Sequence, residues 1–186
     1  MSGSVMIWLA IAVLLFWGMG AYNRLVRLRS RGIAAFASLE SVFNQYLPMV
    51  KAHVAHDLVD DGASDASQAY DASWAEWAAL VAAAEQFNAS LKVAHNQPLN
   101  GPTTSALRTA HETLCLSWLR LQNLPLDLAG PALPITLQSE WEPVSMQAEL
   151  ARSEFNRRVL NYNQAIDQFP ARLLAWAFGF KPAQPI

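Results

Sequence analysis

Between Val5 and Tyr22 the chain reads VMIWLAIAVLLFWGMGAY, eighteen residues with no charged and no strongly polar side chain. A stretch like this constrains everything after it. At 1.5 Å per residue it makes about 27 Å of helix, close to the ~30 Å hydrocarbon core of a bilayer. Val26 and Leu28 can supply the missing depth while Arg24 and Arg27 reach back to the phosphates. Trp8 and Trp17 lie near its two ends, where indole rings favour the membrane interface. A signal peptide is the competing reading, since Gly18, Gly20 and Ala21 resemble a small-residue cleavage site. The stretch ahead of it has no Lys or Arg, however, and arginines follow at once, which favours an uncleaved anchor.

The flanks set the expected orientation. No basic side chain precedes the span, and Arg24, Arg27, Arg29 and Arg31 follow it. The positive-inside bias puts residues 24–186 in the cytoplasm, with residues 1–4 outside. The same arginines are placed to meet anionic lipid headgroups, or serve only as a stop-transfer signal. Expected divisions are 5–22 membrane helix, 23–32 basic juxtamembrane segment, 33–170 helical bundle, and 171–186 apolar C-terminal segment and tail.

What remains is long enough for one domain with a core. Nine Lys/Arg face all 15 Asp/Glu beyond Arg31, a net charge of −6. An acidic domain without clustered cations is a poor nucleic-acid binder. The single cysteine, Cys115, permits no internal disulfide and lies among Leu114, Leu116, Trp118 and Leu119, so a buried, inert thiol is expected.

Apolar residues recur at helical steps through most of the chain. From Ile33 to about Val59 they include Phe36, Leu39, Val42, Phe43, Tyr46, Leu47, Val50 and Val54, interrupted at Pro48. Gly32 is either a swivel below the anchor or part of one long helix. DDGASDAS (60–67) reads as a polar turn within an acidic stretch of Asp57, Asp60, Asp61, Asp65 and Asp71. A second helix covers about 68–94, and NQPLNGP (96–102) breaks it. Thr103, Thr104 or Ser105 is placed to cap a third, running to about Asn123. LPLDLAGPALP (124–134) resists helix, and no firm assignment follows for 135–141. The last long helix is expected over about 143–169, with Leu150, Phe155, Val159, Tyr162, Ile166 and Phe169 as a coiled-coil-like seam, ended by Pro170. No segment alternates long enough for a strand. The fold class is therefore all-α: a transmembrane helix continuing into an antiparallel bundle.

Two stretches carry a family resemblance. Tyr22-Asn23-Arg24-Leu25-Val26, with Arg27 and Arg29, is similar to the YNxLV-x-x-R signature of the LemA family. RSEFNRRVLNYNQAIDQFPARLLAWAFGFKPAQP (152–185) resembles that family's ending, in which paired YN motifs lead to FP-x-x-L/V-A-x-x-FGFKP. AAEQFNASLK (83–92) is a weaker echo. The resemblance implies single-pass bacterial membrane proteins with a helical bundle and no firmly established enzymatic activity. The family's arginine pair and DLIPNLV stretch are represented only by FNQYLPMV (43–50), and about thirty residues around 97–141 look inserted.

Candidate sites are few. His53 and His56 with Asp57 and Asp60 share helical spacing, but HxxHD alone is a common accident and exposed helix residues are the default. Aromatic–Asn pairs recur at Tyr22-Asn23, Phe43-Asn44, Phe87-Asn88, Phe155-Asn156 and Tyr162-Asn163, either as asparagines cross-linking helices or as coincidence in a chain rich in both residue types. No phosphate loop, zinc-protease, nucleophile-elbow or CxxC motif occurs, which argues against an enzyme, and no cofactor is expected. Leu173–Phe180, LLAWAFGF, is too short to span a bilayer and too apolar to lie bare. It is expected to pack back on the bundle, enter a leaflet, or bind another subunit. Tyr22, Asn23, Tyr162, Asn163, Leu173, Leu174, Trp176, Phe178, Phe180 and Lys181 are thus interaction candidates. Trp8, Trp17 and the four arginines are the expected lipid contacts. Membrane lipids, further copies of the chain and another membrane protein are the expected partners.

Overall fold

The computed structural model describes the backbone of residues 2–60, 67–124, 133–169 and 171–186, and the side chains of 5–54, 73–124, 133–169 and 171–186. Among the described residues six α-helices follow in order: α1 Ser2–Phe43, α2 Tyr46–Asp60, α3 Ser67–Asn96, α4 Gly101–Gln122, α5 Ile135–Asp167 and α6 Ala171–Phe178. No strand occurs among the described residues. The apolar turn region 125–132, Pro170, most of the polar turn 60–67 and the acidic side chains of 57–71 lie outside them.

α1 is unbroken from the apolar span into the bundle, so Gly32 lies inside one long helix. Its surface changes character along its length. Between residues 5 and 24 no side chain is buried, and an 18-residue window there has mean hydropathy 2.0. From Leu25 a stripe of buried positions begins: Leu25, Gly32, Phe36, Leu39 and Phe43, at steps of seven, four, three and four. This is the face that meets α5 and α3. Gly32 has a packing reason, because a Cβ there would come within 3.3 Å of Leu99 Cδ2.

The helix stops where Pro48 requires it to. A prolyl ring clashes with the carbonyl four residues back, here that of Asn44, and the chain turns at 44–45. Asn44 N–H still donates to Glu40 O (2.9 Å), and Gln45 N–H tightens onto Val42 O (3.0 Å). Pro48 then becomes the third residue of α2, where its missing N–H has no helical acceptor to leave empty.

α1 lies antiparallel to α5 and α3 antiparallel to α4, while α2 bridges α3 and α5. An aromatic cluster joins the pairs. Phe43 meets Phe87 at 4.9 Å between ring centroids, Tyr46 meets Trp141 at 4.7 Å, and Trp118 stacks on Trp141 at 4.0 Å with 2° between planes. The described parts of the apparently inserted region, 97–124 and 133–141, therefore pack on the bundle, α4 contributing Leu107, Leu114, Trp118 and Leu121 to the core.

Three local expectations need correction. α4 starts at Gly101, ahead of the expected caps, because Pro102 fits a first turn. The hydroxyls of Thr103 and Thr104 donate to Asn100 O rather than capping N–H groups. α5 starts at Ile135, two turns before Pro143, because burial of Leu137 and Trp141 outweighs the one hydrogen bond the internal proline removes. In the α5 seam Phe155, Val159, Tyr162 and Ile166 are buried, but Leu150 and Phe169 are 67% and 77% exposed. Phe169 falls beyond the end of α5, and Leu150 faces away from the neighbouring helices.

Candidate membrane-proximal site

Among the described residues, the core brings His111 and Cys115 together, and burial disfavours the charged form of each. His111 stacks on Phe43 at 5.0 Å and lies 5.5 Å from the Phe87 ring. Burial, with help from Arg152, lowers its pKa and keeps the imidazole neutral. Cys115 Sγ is 3.8 Å from His111 Nε2, but burial raises the thiol's pKa. Burial likewise holds the Tyr46 phenol up. A neutral thiol beside a neutral imidazole is not an activated pair. His53 bonds Met49 O at 3.0 Å, and the side chains of His56, Asp57 and Asp60 lie outside the described residues.

The other end of the bundle is built differently. α6 crosses α1 at the foot of the apolar span. Trp17 meets Phe169 at 5.9 Å, and Tyr22 meets Phe178 at 5.0 Å and Phe180 at 5.9 Å. Ala175 is α6's buried residue and Leu174 is half-buried, while Leu173, Trp176 and Phe178 are exposed. Trp8, Asn23, Arg24, Arg27, Arg29, Arg31 and Lys181 are exposed as well. Arg29 is close enough to Tyr162 for its charge to oppose the rise that burial gives the phenol's pKa.

After α6 the chain reverses. Gly179 adopts φ 70°, and Phe180 N–H returns to Ala175 O at 2.9 Å, the helix-ending motif that glycine serves best. The following residues run back along α5 in a clasp. Asn163 donates to Ala183 O (2.8 Å) and accepts from Ala183 N–H (2.9 Å). Asn156 does the same with Ile186, again at 2.8 and 2.9 Å. Tyr162 OH donates to Lys181 O at 3.1 Å.

The match is geometric. Seven helical residues advance about 10.5 Å, and three extended residues cover about 10 Å. Pro182 and Pro185 lack N–H groups and fall between the bonded positions. Ala183 and Ile186 are buried beneath. Gln184 lies against Gly101, whose Cβ, if present, would be 3.0 Å from the glutamine side chain.

The asparagine ladder therefore corrects the sequence expectation. Asn156 and Asn163 hold an extended segment rather than another helix, whereas Asn23 and Asn44 are exposed. Tyr162 and Asn163 are engaged within the chain, Leu173 and Trp176 face outward, and Phe178, though largely exposed, lies against Tyr22. Asn156, Phe169, Ala183 and Ile186 complete the arrangement and were missed as a set. The readable signal was the seven-residue Asn spacing beside prolines three residues apart.

The chain matches the LemA family model over residues 126–185. No curated protein and no solved structure matches it. Across residues 126–185, about a third of the chain, which carry α5, α6 and most of the clasped segment, the chain is similar to the LemA family.

Proposed function

We propose that the protein is a non-enzymatic, single-pass scaffold that associates with further copies of itself and organises partners at the inner face of a bacterial inner membrane. The observation that carries this reading is the continuity of α1. One helix runs from an unburied apolar span into the bundle core, without a linker that would let the domain swing. From residue 22 to Phe43 it runs through the bundle, which thus reaches out to about 30 Å from the end of the span. The cytoplasmic orientation follows from the four arginines after the span. Leu116, Leu119, Met146, Leu150 and Leu160 are exposed on α4 and α5 and offer apolar surface for contact between copies.

A second reading, an accessory subunit of a cell-envelope or membrane quality-control complex, draws on the far end of the bundle. There a groove of ≈ 380 Å³ between α2 and α3 is lined by Val54, Trp74, Trp77, Ala78, Val81, Ala82 and Glu85. Two tryptophans in such a groove suit a protein contact. The deciding experiment is the particle mass after mild-detergent extraction, with mass-spectrometric identification of every subunit. A homogeneous multiple of 20.5 kDa supports the scaffold. A foreign subunit in fixed ratio supports the second reading, and a partner-free monomer sinks both.

A further inference from the structure

We infer that α6 is a second membrane contact: an in-plane helix whose outward face, Leu173 and Trp176, sits at the headgroup–acyl boundary of an anionic leaflet. The inference rests on reading residues 5–22 as a bilayer span. Three observations support it.

The first is depth. Phe169 meets α1 at Trp17, and Phe178 and Phe180 meet it at Tyr22. Those α1 positions are five residues apart, a band of about 7.5 Å along the helix, which matches the depth at which interfacial helices lie. If the span is in the bilayer, this band is its cytoplasmic edge, and α6 is carried there with it.

The second is the shape of α6. One side rests on the bundle through Leu174 and Ala175, yet the opposite side carries Leu173 and Trp176 rather than polar residues. Trp176 is 87% exposed. A helix apolar on both sides requires cover on both, and the indole is the side chain best suited to an interface.

The third is charge. Residues 1–39 contain Arg24, Arg27, Arg29 and Arg31 but no Asp or Glu, and residues 168–186 contain Arg172 and Lys181 and again no acid. The rest of the domain is acidic. Net positive charge is thus gathered in the two segments that meet where α6 sits, as an anionic leaflet favours. A lone span is free to rotate about its axis. A second contact on one side of α1 fixes which face of the bundle is turned to neighbouring molecules.

The test uses the full chain in nanodiscs containing phosphatidylglycerol. In a Cys115→Ala background, Trp176→Cys and, separately, Leu173→Cys carry an environment-sensitive NBD label. Val93→Cys on exposed α3 and Leu14→Cys in the span serve as references. The expected result is quenching of positions 173 and 176 by lipids brominated high on the acyl chain, with iodide quenching about tenfold weaker than at position 93. Iodide quenching equal to that at position 93 overturns the inference, and so does protection from both quenchers, which means that protein covers the helix. Lipid quenching at position 14 with none at 173 and 176 overturns this inference alone. Loss of lipid quenching at position 14 overturns the span on which it rests.

Discussion

Replacing Asn163 by alanine opens the clasp, and the structure sets the size of the effect. The side chain makes two hydrogen bonds to Ala183, at 2.8 and 2.9 Å, on a half-buried surface. Intramolecular hydrogen bonds contribute about 0.5–1.5 kcal/mol each, so their loss removes roughly 1–3 kcal/mol from the closed state. At about 1.4 kcal/mol per decade, that is a roughly five- to hundredfold rise in the open population. Amide hydrogen exchange in detergent micelles reads it directly. The Ala183 amide loses its own acceptor and is a poor reporter. The Ile186 amide is the informative one, because its acceptor, Asn156 Oδ1, is untouched. If the segment opens as a unit, Ile186 exchange accelerates by the same factor in Asn163→Ala, while amides in the middle of α5 keep their protection. Asn163→Asp should behave no better than alanine. It can accept from Ala183 N–H but has lost the donor, and it turns a carboxylate oxygen toward the Ala183 carbonyl. Unchanged Ile186 exchange in Asn163→Ala refutes the cooperative clasp.

Three further outcomes follow from the core. Trp141→Ala removes the partner of both Trp118 and Tyr46 and should lower bundle stability by about 3–5 kcal/mol, measured by denaturant titration. Gly32→Leu pushes a branched side chain into Leu99 and should destabilise the bundle by roughly 1–3 kcal/mol, visible as a lower Tm at unchanged helicity. His111 has a folded-state pKa below its ordinary 6.5, so the unfolded chain binds its proton first on acidification. The stability held by the neutral imidazole is therefore complete above pH 6.5 and falls as pH drops through the folded pKa; His111→Phe should flatten that part of a stability-against-pH curve.

Much of this architecture was legible because helical burial leaves a periodic trace. The stripe from Phe36 to Phe43, the break at Pro48 and the end of α3 before Pro98 depend on neighbours in sequence, and short-range chemistry predicts them well. What escaped depends on partners far along the chain. Nothing near Ile135 announces a helix; its start becomes stable through Trp141, which stacks on Trp118 and packs at a tilt against Tyr46. Leu150 keeps the seam's period yet has no helix opposite it, since periodicity reports a face and not what covers it. The asparagines were noticed as a pattern but assigned to the wrong partner. An amide offering one donor and one acceptor suits an extended backbone as well as it suits another side chain, and only the return of the chain after Gly179 decides between them.

The LemA-family match and the geometry together divide the molecule. Residues 126–185 include the end of α5, α6 and most of the clasp, which pack near Tyr22 and Leu25 of α1. Gly179 reverses the chain, Asn163 and Asn156 hold it, and the hold keeps Phe180 against Tyr22. α3 and α4 lie outside the match, yet they supply Leu80, Phe87, Leu107 and Leu114 to the same core. The two proposed readings therefore separate along the chain. The proposed membrane seating falls in the family-like third, since α6 and most of the clasp are there. Recognition of a foreign partner would belong to the α2–α3 end, where Trp74 and Trp77 line a groove far from the bilayer. If so, substitutions at Trp74 should change what co-purifies without changing how Trp176 meets lipid, and substitutions at Trp176 should do the reverse. Coupling between the two would mean that seating on the membrane and partner recognition share one conformational equilibrium, carried by the continuous α1.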